Sequence, residues 1–214
     1  MTMPDENTDG RSPALTDMNC VLKTPASALT FAFVDIETTA LAPQSGGRVC
    51  EVAVLLHRAG RRIDTWSQLV YPGGPMPAQA TMIHGISDEM VRGQPEFPHI
   101  APRLISLLSG AVVVCHNAEY DVPFLAWELA RAGLRFPPAT VLDTLKYARK
   151  QAKFRSNRLG NIALELGISS EGWHRALSDV MMTEQVFLHF LNKFSAAGEP
   201  TLADLVQYQT VKTK

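Results

Sequence analysis

Long apolar runs are missing from the 214-residue sequence: the longest, such as Val52 to Leu56 and Ala111 to Cys115, are about five residues. A membrane helix needs roughly 20, so no membrane is expected among its partners. Cysteine is scarce. Cys20, Cys50 and Cys115 are scattered, odd in number and without CxxC or CxH spacing, which argues against a disulfide framework or a structural zinc site and points to a reducing, cytoplasmic setting. Net charge is nearly absent: 20 Lys and Arg against 21 Asp and Glu leave −1. That excludes a protein that grips a polyanion by bulk charge, but not one with a local basic site. The N-terminus lacks an apolar core and carries Asp5, Glu6 and Asp9 instead, so neither a secretory signal nor a transit peptide is expected.

What is present suits one domain, because 46% hydrophobic residues at this length can bury a single core. Residues 1 to 27, rich in Thr, Asp, Asn, Ser and Pro without periodicity, read as a flexible leader. From Leu29 the run Leu-Thr-Phe-Ala-Phe-Val-Asp-Ile is apolar on both faces, as in a covered strand. Strands at about 48 to 57 and 62 to 70 follow, joined by a hairpin turn at Gly60. Short helices are predicted at 78 to 83 and 88 to 91, a longer one over 97 to 108, a buried strand at 111 to 115 and a helix over 120 to 132. A brief strand near Val141, a helix from Asp143, helices at about 157 to 166 and 176 to 194, and a weak one near 202 to 209 complete the chain. Three meandering strands followed by alternating strands and helices predict a mixed-sheet α/β domain over 28 to 195 with a short C-terminal extension, 196 to 214.

Three clusters carry candidate chemistry. Asp35 and Glu37 end the first strand, and side chains two apart in a strand share a face, so two carboxylates are held side by side. Such a pair needs a proton, a basic partner or a metal, and hard divalent cations suit it; a strand end that merely meets solvent is the plainer explanation. Asp121, in Cys115-His116-Asn117-Ala118-Glu119-Tyr120-Asp121, sits where a buried strand turns into a helix, a place also favoured by any acid that meets a helix dipole. His174 precedes a helix and Asp179 interrupts its apolar face. A lone histidine there is usually a surface residue, whereas a carboxylate among apolar residues more often has a purpose.

Taken together and in order, these clusters resemble the three motifs of the DEDDh branch of the DnaQ-like 3′→5′ exonucleases. The first motif is similar to Phe33-Val34-Asp35-Ile36-Glu37-Thr38-Thr39, the second to His116-Asn117-Ala118-Glu119-Tyr120-Asp121, and the third to His174 with Asp179 five residues on. Ile83-His84-Gly85-Ile86, Leu142-Asp143-Thr144 and Asn157 to Leu166 are similar to segments of the epsilon proofreading subunits of bacterial DNA polymerase III. The resemblance covers roughly residues 29 to 195. It implies an RNase H-like fold with a five-stranded mixed sheet, three strands antiparallel and then parallel ones, flanked by helices.

The resemblance also implies a division of labour. Asp35, Glu37 and Asp179 would hold one Mg²⁺ or Mn²⁺, Asp35 and Asp121 a second, and His174 would be the general base. Thr38, Thr39 and Leu41 would touch the terminal nucleotide, Ile83 and His84 would flank its base, and Asn117 would contribute beside the second motif. Two positions depart from the family pattern. Ala40 stands where Gly is common, so loop geometry is expected to differ, and Glu119 adds an acid expected to alter metal affinity. Lys146, Arg149, Lys150, Lys153, Arg155 and Arg158, interleaved with Tyr147 and Phe154 and free of acids, read as a strip that tracks a single strand by charge and stacking. A solvated helix face is the plainer alternative.

The expected activity is removal of nucleoside 5′-monophosphates from single-stranded or frayed 3′ ends of DNA, in proofreading beside a DNA polymerase or in repair. RNA 3′-end trimming is the alternative within the same chemistry, and a non-catalytic polymerase- or DNA-binding scaffold is the alternative outside it. About 20 residues after the last long helix favour stand-alone action over a long partner-binding tail.

Overall fold

The computed structural model describes residues 21–137 and 139–210; residues 1–20 of the expected leader and the last four residues lie outside them. Strand β1 (Thr30–Thr38) pairs antiparallel with β2 (Val49–Arg58), which pairs antiparallel with β3 (Arg61–Leu69). On the other side of β1 lie β4 (Val112–Cys115) and then β5 (Val141–Asp143), both parallel to their neighbour. The order β3-β2-β1-β4-β5 makes one five-stranded mixed sheet. The β2–β3 turn is made by Ala59 and Gly60, both at positive φ (50° and 77°), the two-residue geometry whose twist suits a hairpin.

Alternation along β1 divides the core. Phe31 and Phe33 face one layer with Phe187 and Phe190, while Ala32, Val34 and Ile36 face another with Phe97, Leu104, Phe124 and Leu129. Helices α1 (Ala78–His84) and α2 (Asp88–Val91) follow β3. The layer on the even-numbered face is built by α3 (Phe97–Leu108) and α4 (Ala118–Arg131). The opposite layer contains α5 (Thr144–Gln151), α6 (Leu159–Glu165) and α7 (Ala176–Phe194), with α8 (Leu202–Tyr208) against it. Asp35 and Glu37 have odd numbers, so they point to the side of α7, which carries Asp179.

Chain on the outer side of each expected domain boundary packs against the body. Pro25 bridges Thr201, the Ala26 N–H donates to the Pro200 carbonyl and the Leu202 N–H to that of Thr24. Ala26 is buried, so residues 24–27 are part of the body rather than of a leader. The C-terminal extension is likewise core: Leu202 and Leu205 are fully buried, and Tyr147 donates its hydroxyl to the Leu205 carbonyl at 2.8 Å. Gln209 closes the free edge of β5, accepting the Asp143 N–H at 2.9 Å and donating to the Val141 carbonyl. The missed signal was amphipathic: Leu202 and Leu205 sit three apart behind a Thr201–Asp204 capping box. Among the described residues, no helix is long and apolar enough to cross a membrane.

Candidate active site

Beyond its last pairing with β4 at Phe33, β1 runs on for five residues, leaving a crevice at the carboxyl ends of the parallel strands, where open α/β sheets place their ligands. Asp35, Glu37, Asp121, His174 and Asp179 all line one open cleft there, of about 560 Å³. Carboxylate oxygens of Asp35, Glu37 and Asp179 lie within 4.8 Å of one another. Asp121 enters from the first turn of α4 and is 3% exposed.

Burial and mutual repulsion dominate the electrostatics. Asp35 is held well above the usual carboxylate range, first by burial and then by the charges of Asp121, Asp179, Glu37 and Glu51. Burial, with Asp179 and Glu51, pushes Glu37 up to about 8 against the opposing Arg175. Asp179 is pushed up to about 7, mainly by burial, and Asp121 also lies well above its ordinary value for the same first reason. Neither the Asp35 nor the Glu37 carboxylate accepts a hydrogen bond among the described residues. Oxygen donors that repel one another and lack internal partners fit a hard divalent cation. Protons alone would also relieve the repulsion, but at the cost of the charged form.

His174 reaches the cleft from the turn before α7. Its backbone is left-handed (φ 68°), its N–H donates to Asp179 Oδ1 at 3.3 Å, and its ring stacks on Trp173 with centroids 4.6 Å apart. Partial burial, with Arg158 adding to it, lowers the imidazole's affinity for protons, so the ring is neutral near pH 7 and able to accept one.

Residues behind the cleft hold these groups in place. Glu51, opposite Glu37 in the β1–β2 register, is buried and takes a two-point hydrogen bond from Arg175 (2.7 and 3.1 Å) and the Ala176 N–H at 3.0 Å. It thereby ties the start of α7, and with it Asp179, to the sheet. Asp143 collects the N–H groups of Asn117, Ala118 and Leu145, fixing the left-handed corner at Asn117 from which α4 departs. His116 bridges Thr144 Oγ1 (2.8 Å) and the Asn157 carbonyl (3.0 Å). Sequence reasoning missed Glu51 and Arg175, although an acid within Val-Cys-Glu-Val-Ala-Val-Leu-Leu was a visible signal.

The expected substrate contacts divide between two clefts. Thr38, Thr39, Leu41, Ile83 and His84 line a second hollow of about 430 Å³, which shares Glu37 and Tyr120 with the first; Asn117 lines the first. Leu41 is 85% exposed and Ile83 58%, so both offer apolar surface. His84 does not present its ring as expected: it is buried, Nδ1 accepts the Ile86 N–H at 3.0 Å, and Nε2 faces Cys50 Sγ at 3.9 Å. The Thr38 hydroxyl is also engaged, with the Ala40 carbonyl and the Tyr120 hydroxyl.

The basic strip is only partly as expected. Arg149 and Arg158 line the carboxylate cleft. Tyr147 is fully buried, so its ring is not free for stacking, while Phe154 is partly buried and lies at 89° to Phe190. The cause is the helical period of α5, which places Tyr147 on the core face. Glu119, expected near the metal ligands, instead pairs with Lys146 at 2.9 Å on the surface.

Residues 32–187 match the RNase T exonuclease family. The chain belongs to that family. It is 32% identical over 82% of its length to the 3′-5′ exonuclease DinG of Bacillus subtilis, of which it spans 19%. It is 31% identical over 84% of its length to the DNA polymerase III subunit epsilon of Treponema pallidum, spanning 88% of that protein. The solved structure of exonuclease X in complex with 5′ overhanging duplex DNA superposes with a TM-score of 0.65 at 22% identity, covering 84% of this chain and 99% of the other. The sheet order and flanking helices are thus those of a DnaQ-like, RNase H-like exonuclease domain.

Proposed function

We propose that this exonuclease domain hydrolyses DNA from the 3′ end, releasing nucleoside 5′-monophosphates. The observation that carries this reading is the meeting of Asp35, Glu37, Asp121, Asp179 and His174 in one open cleft beside an apolar-rimmed hollow. Asp35, Glu37 and Asp179, with Asp121 beside Asp35, would hold the divalent cations, Mg²⁺ or Mn²⁺; when bound, these supply Lewis acidity and shield the charge of the phosphodiester. His174, neutral at the working pH, takes a proton from the attacking water. Exposed Leu41 and Ile83 flank the terminal base, while Thr38 and His84, both engaged internally, shape the hollow between them. Asn117 lies beside the carboxylates, and Arg149 and Arg158 offset phosphate charge along the cleft. The name of the epsilon relative, a DNA polymerase III subunit, supports DNA as substrate and, for a role in proofreading, a DNA polymerase as partner, and that of the DinG relative supports the 3′ end as the point of attack.

A substrate panel tests the reading: single-stranded DNA, a duplex with a mismatched 3′ end, and RNA of the same sequence, each with Mg²⁺, Mn²⁺ or EDTA. Both DNA substrates are expected to be shortened faster than RNA and only with a divalent metal. Faster RNA digestion would replace the substrate assignment; metal-independent cleavage would overturn the centre itself.

A further inference from the structure

Trp173 is in the cleft, yet no role for it follows from the exonuclease motifs, and its surroundings are specific. The indole and the His174 imidazole lie nearly parallel, 14° apart with centroids 4.6 Å apart. The indole in turn rests on Gly160 of α6, where a Cβ would come within 2.5 Å of two ring carbons, Cδ2 and Cε3. The turn carrying the pair is tightly constrained: Gly172 has φ 73°, and a Cβ there would meet the Ser178 hydroxyl at 2.6 Å; the Trp173 N–H bonds to the Ser170 carbonyl; and His174 is itself left-handed. The imidazole ring has no hydrogen bond among the described residues, its backbone N–H alone being engaged by Asp179. The contact that orients the ring is therefore the indole face.

We propose that Trp173 is a positioning residue: seated on Gly160, it holds the His174 imidazole over the carboxylate cleft. This rests on the role given to His174 under the proposed function. A general base must lie within hydrogen-bond reach of the proton it removes, and a displacement of about 1 Å can cost about a hundredfold in rate. A side chain on the ten-residue connection between α6 and α7, residues 166–175, needs such a support. A glycine beneath the indole leaves room for it to lie flat.

Two measurements test the proposal. In steady-state digestion of a 3′-labelled single strand, Trp173→Leu is expected to lower kcat about tenfold or more with KM within about twofold. Trp173→Phe restores most of the rate, and Gly160→Ala, which lifts the indole, behaves like Trp173→Leu. In a His174→Ala background, Trp173→Leu costs nothing further. A raised KM with unchanged kcat would make Trp173 a substrate-stacking residue, and an equal loss in the His174→Ala background would show independent action; either overturns the proposal. The second measurement needs no activity: in a Trp66→Phe, Trp127→Phe protein, whose emission comes from Trp173, His174→Ala is expected to change that emission. Unchanged emission overturns the stacking, whereas an inactive wild type with changed emission would remove the functional reading and leave the contact standing.

Discussion

Asp35 and Glu37 stand two apart on the α7 side of β1, and that spacing alone brings two acids to one face. Their elevated proton affinity has a consequence for stability. Glu37 sits near 8 in the folded chain against an ordinary 4.5, and Asp179 near 7 against 3.8, so between those limits the folded form holds protons that the unfolded chain has lost. Stability from these groups is present in full at low pH and is lost as pH rises from about 4 to about 8. Melting temperature of the metal-free protein is therefore expected to fall across that window, with Glu37→Gln flattening the fall and saturating Mg²⁺ raising the melting temperature most at the alkaline end. A slope unaffected by Glu37→Gln would contradict the assignment. His174→Ala is expected to reduce kcat by about 10² to 10⁴ while calorimetric Mn²⁺ titration still registers binding; lost Mn²⁺ binding would give His174 a ligand's role instead. The acids and His174 were legible as residues because each breaks a local pattern: a charge in a buried strand, a charge in an apolar helix face, a histidine five before it. His84 was not legible as a buried, internally bonded ring, since nothing local says which way an imidazole at the end of a seven-residue helix will point.

At the scale of elements, periodicity predicted α3 over Phe97–Leu108 and α7 over Ala176–Phe194 at the bounds they have, and placed β1 to β3 within a residue or two. It did so because each buries a continuous apolar face. Contacts between distant elements were not legible: Glu51 on β2 meets Arg175 across 124 residues, and Asp143 on β5 fixes a corner 26 residues away. These contacts follow from the topology, which single-chain periodicity does not encode. Arg175→Ala leaves Glu51 buried without its cation and is expected to cost about 3 kcal/mol in urea denaturation, a change below about 0.5 kcal/mol showing that water takes over the guanidinium's role. Tyr147 illustrates the opposite error, in which composition suggested a surface strip and the helical period of α5 placed the ring in the core.

For the whole molecule, the two ends of the described chain close on each other. Residues 24–26 pair with 200–202, and α8 covers the core layer that carries Tyr147 and Phe194, with Tyr208 stacked on Phe194 at 4.1 Å. Deleting the chain after Ala197 removes two fully buried leucines, at about 1.5–3 kcal/mol each, and is expected to lower stability by about 3–6 kcal/mol; an unchanged melting temperature would make α8 dispensable. The near-zero net charge also resolves at this scale, since it sums an acidic carboxylate centre and a basic face of which Arg149 and Arg158 reach the cleft. The central claim is that this centre cuts from the 3′ end through Asp35. It is tested most directly by following product size from one oligodeoxynucleotide labelled either at its 3′ or at its 5′ end, with Mg²⁺, using wild type and Asp35→Asn. The account predicts immediate release of labelled nucleoside 5′-monophosphate from the 3′-labelled strand, a descending ladder from the 5′-labelled one, and neither with Asp35→Asn. Mononucleotide released first from the 5′ label, or full activity in Asp35→Asn, would contradict it.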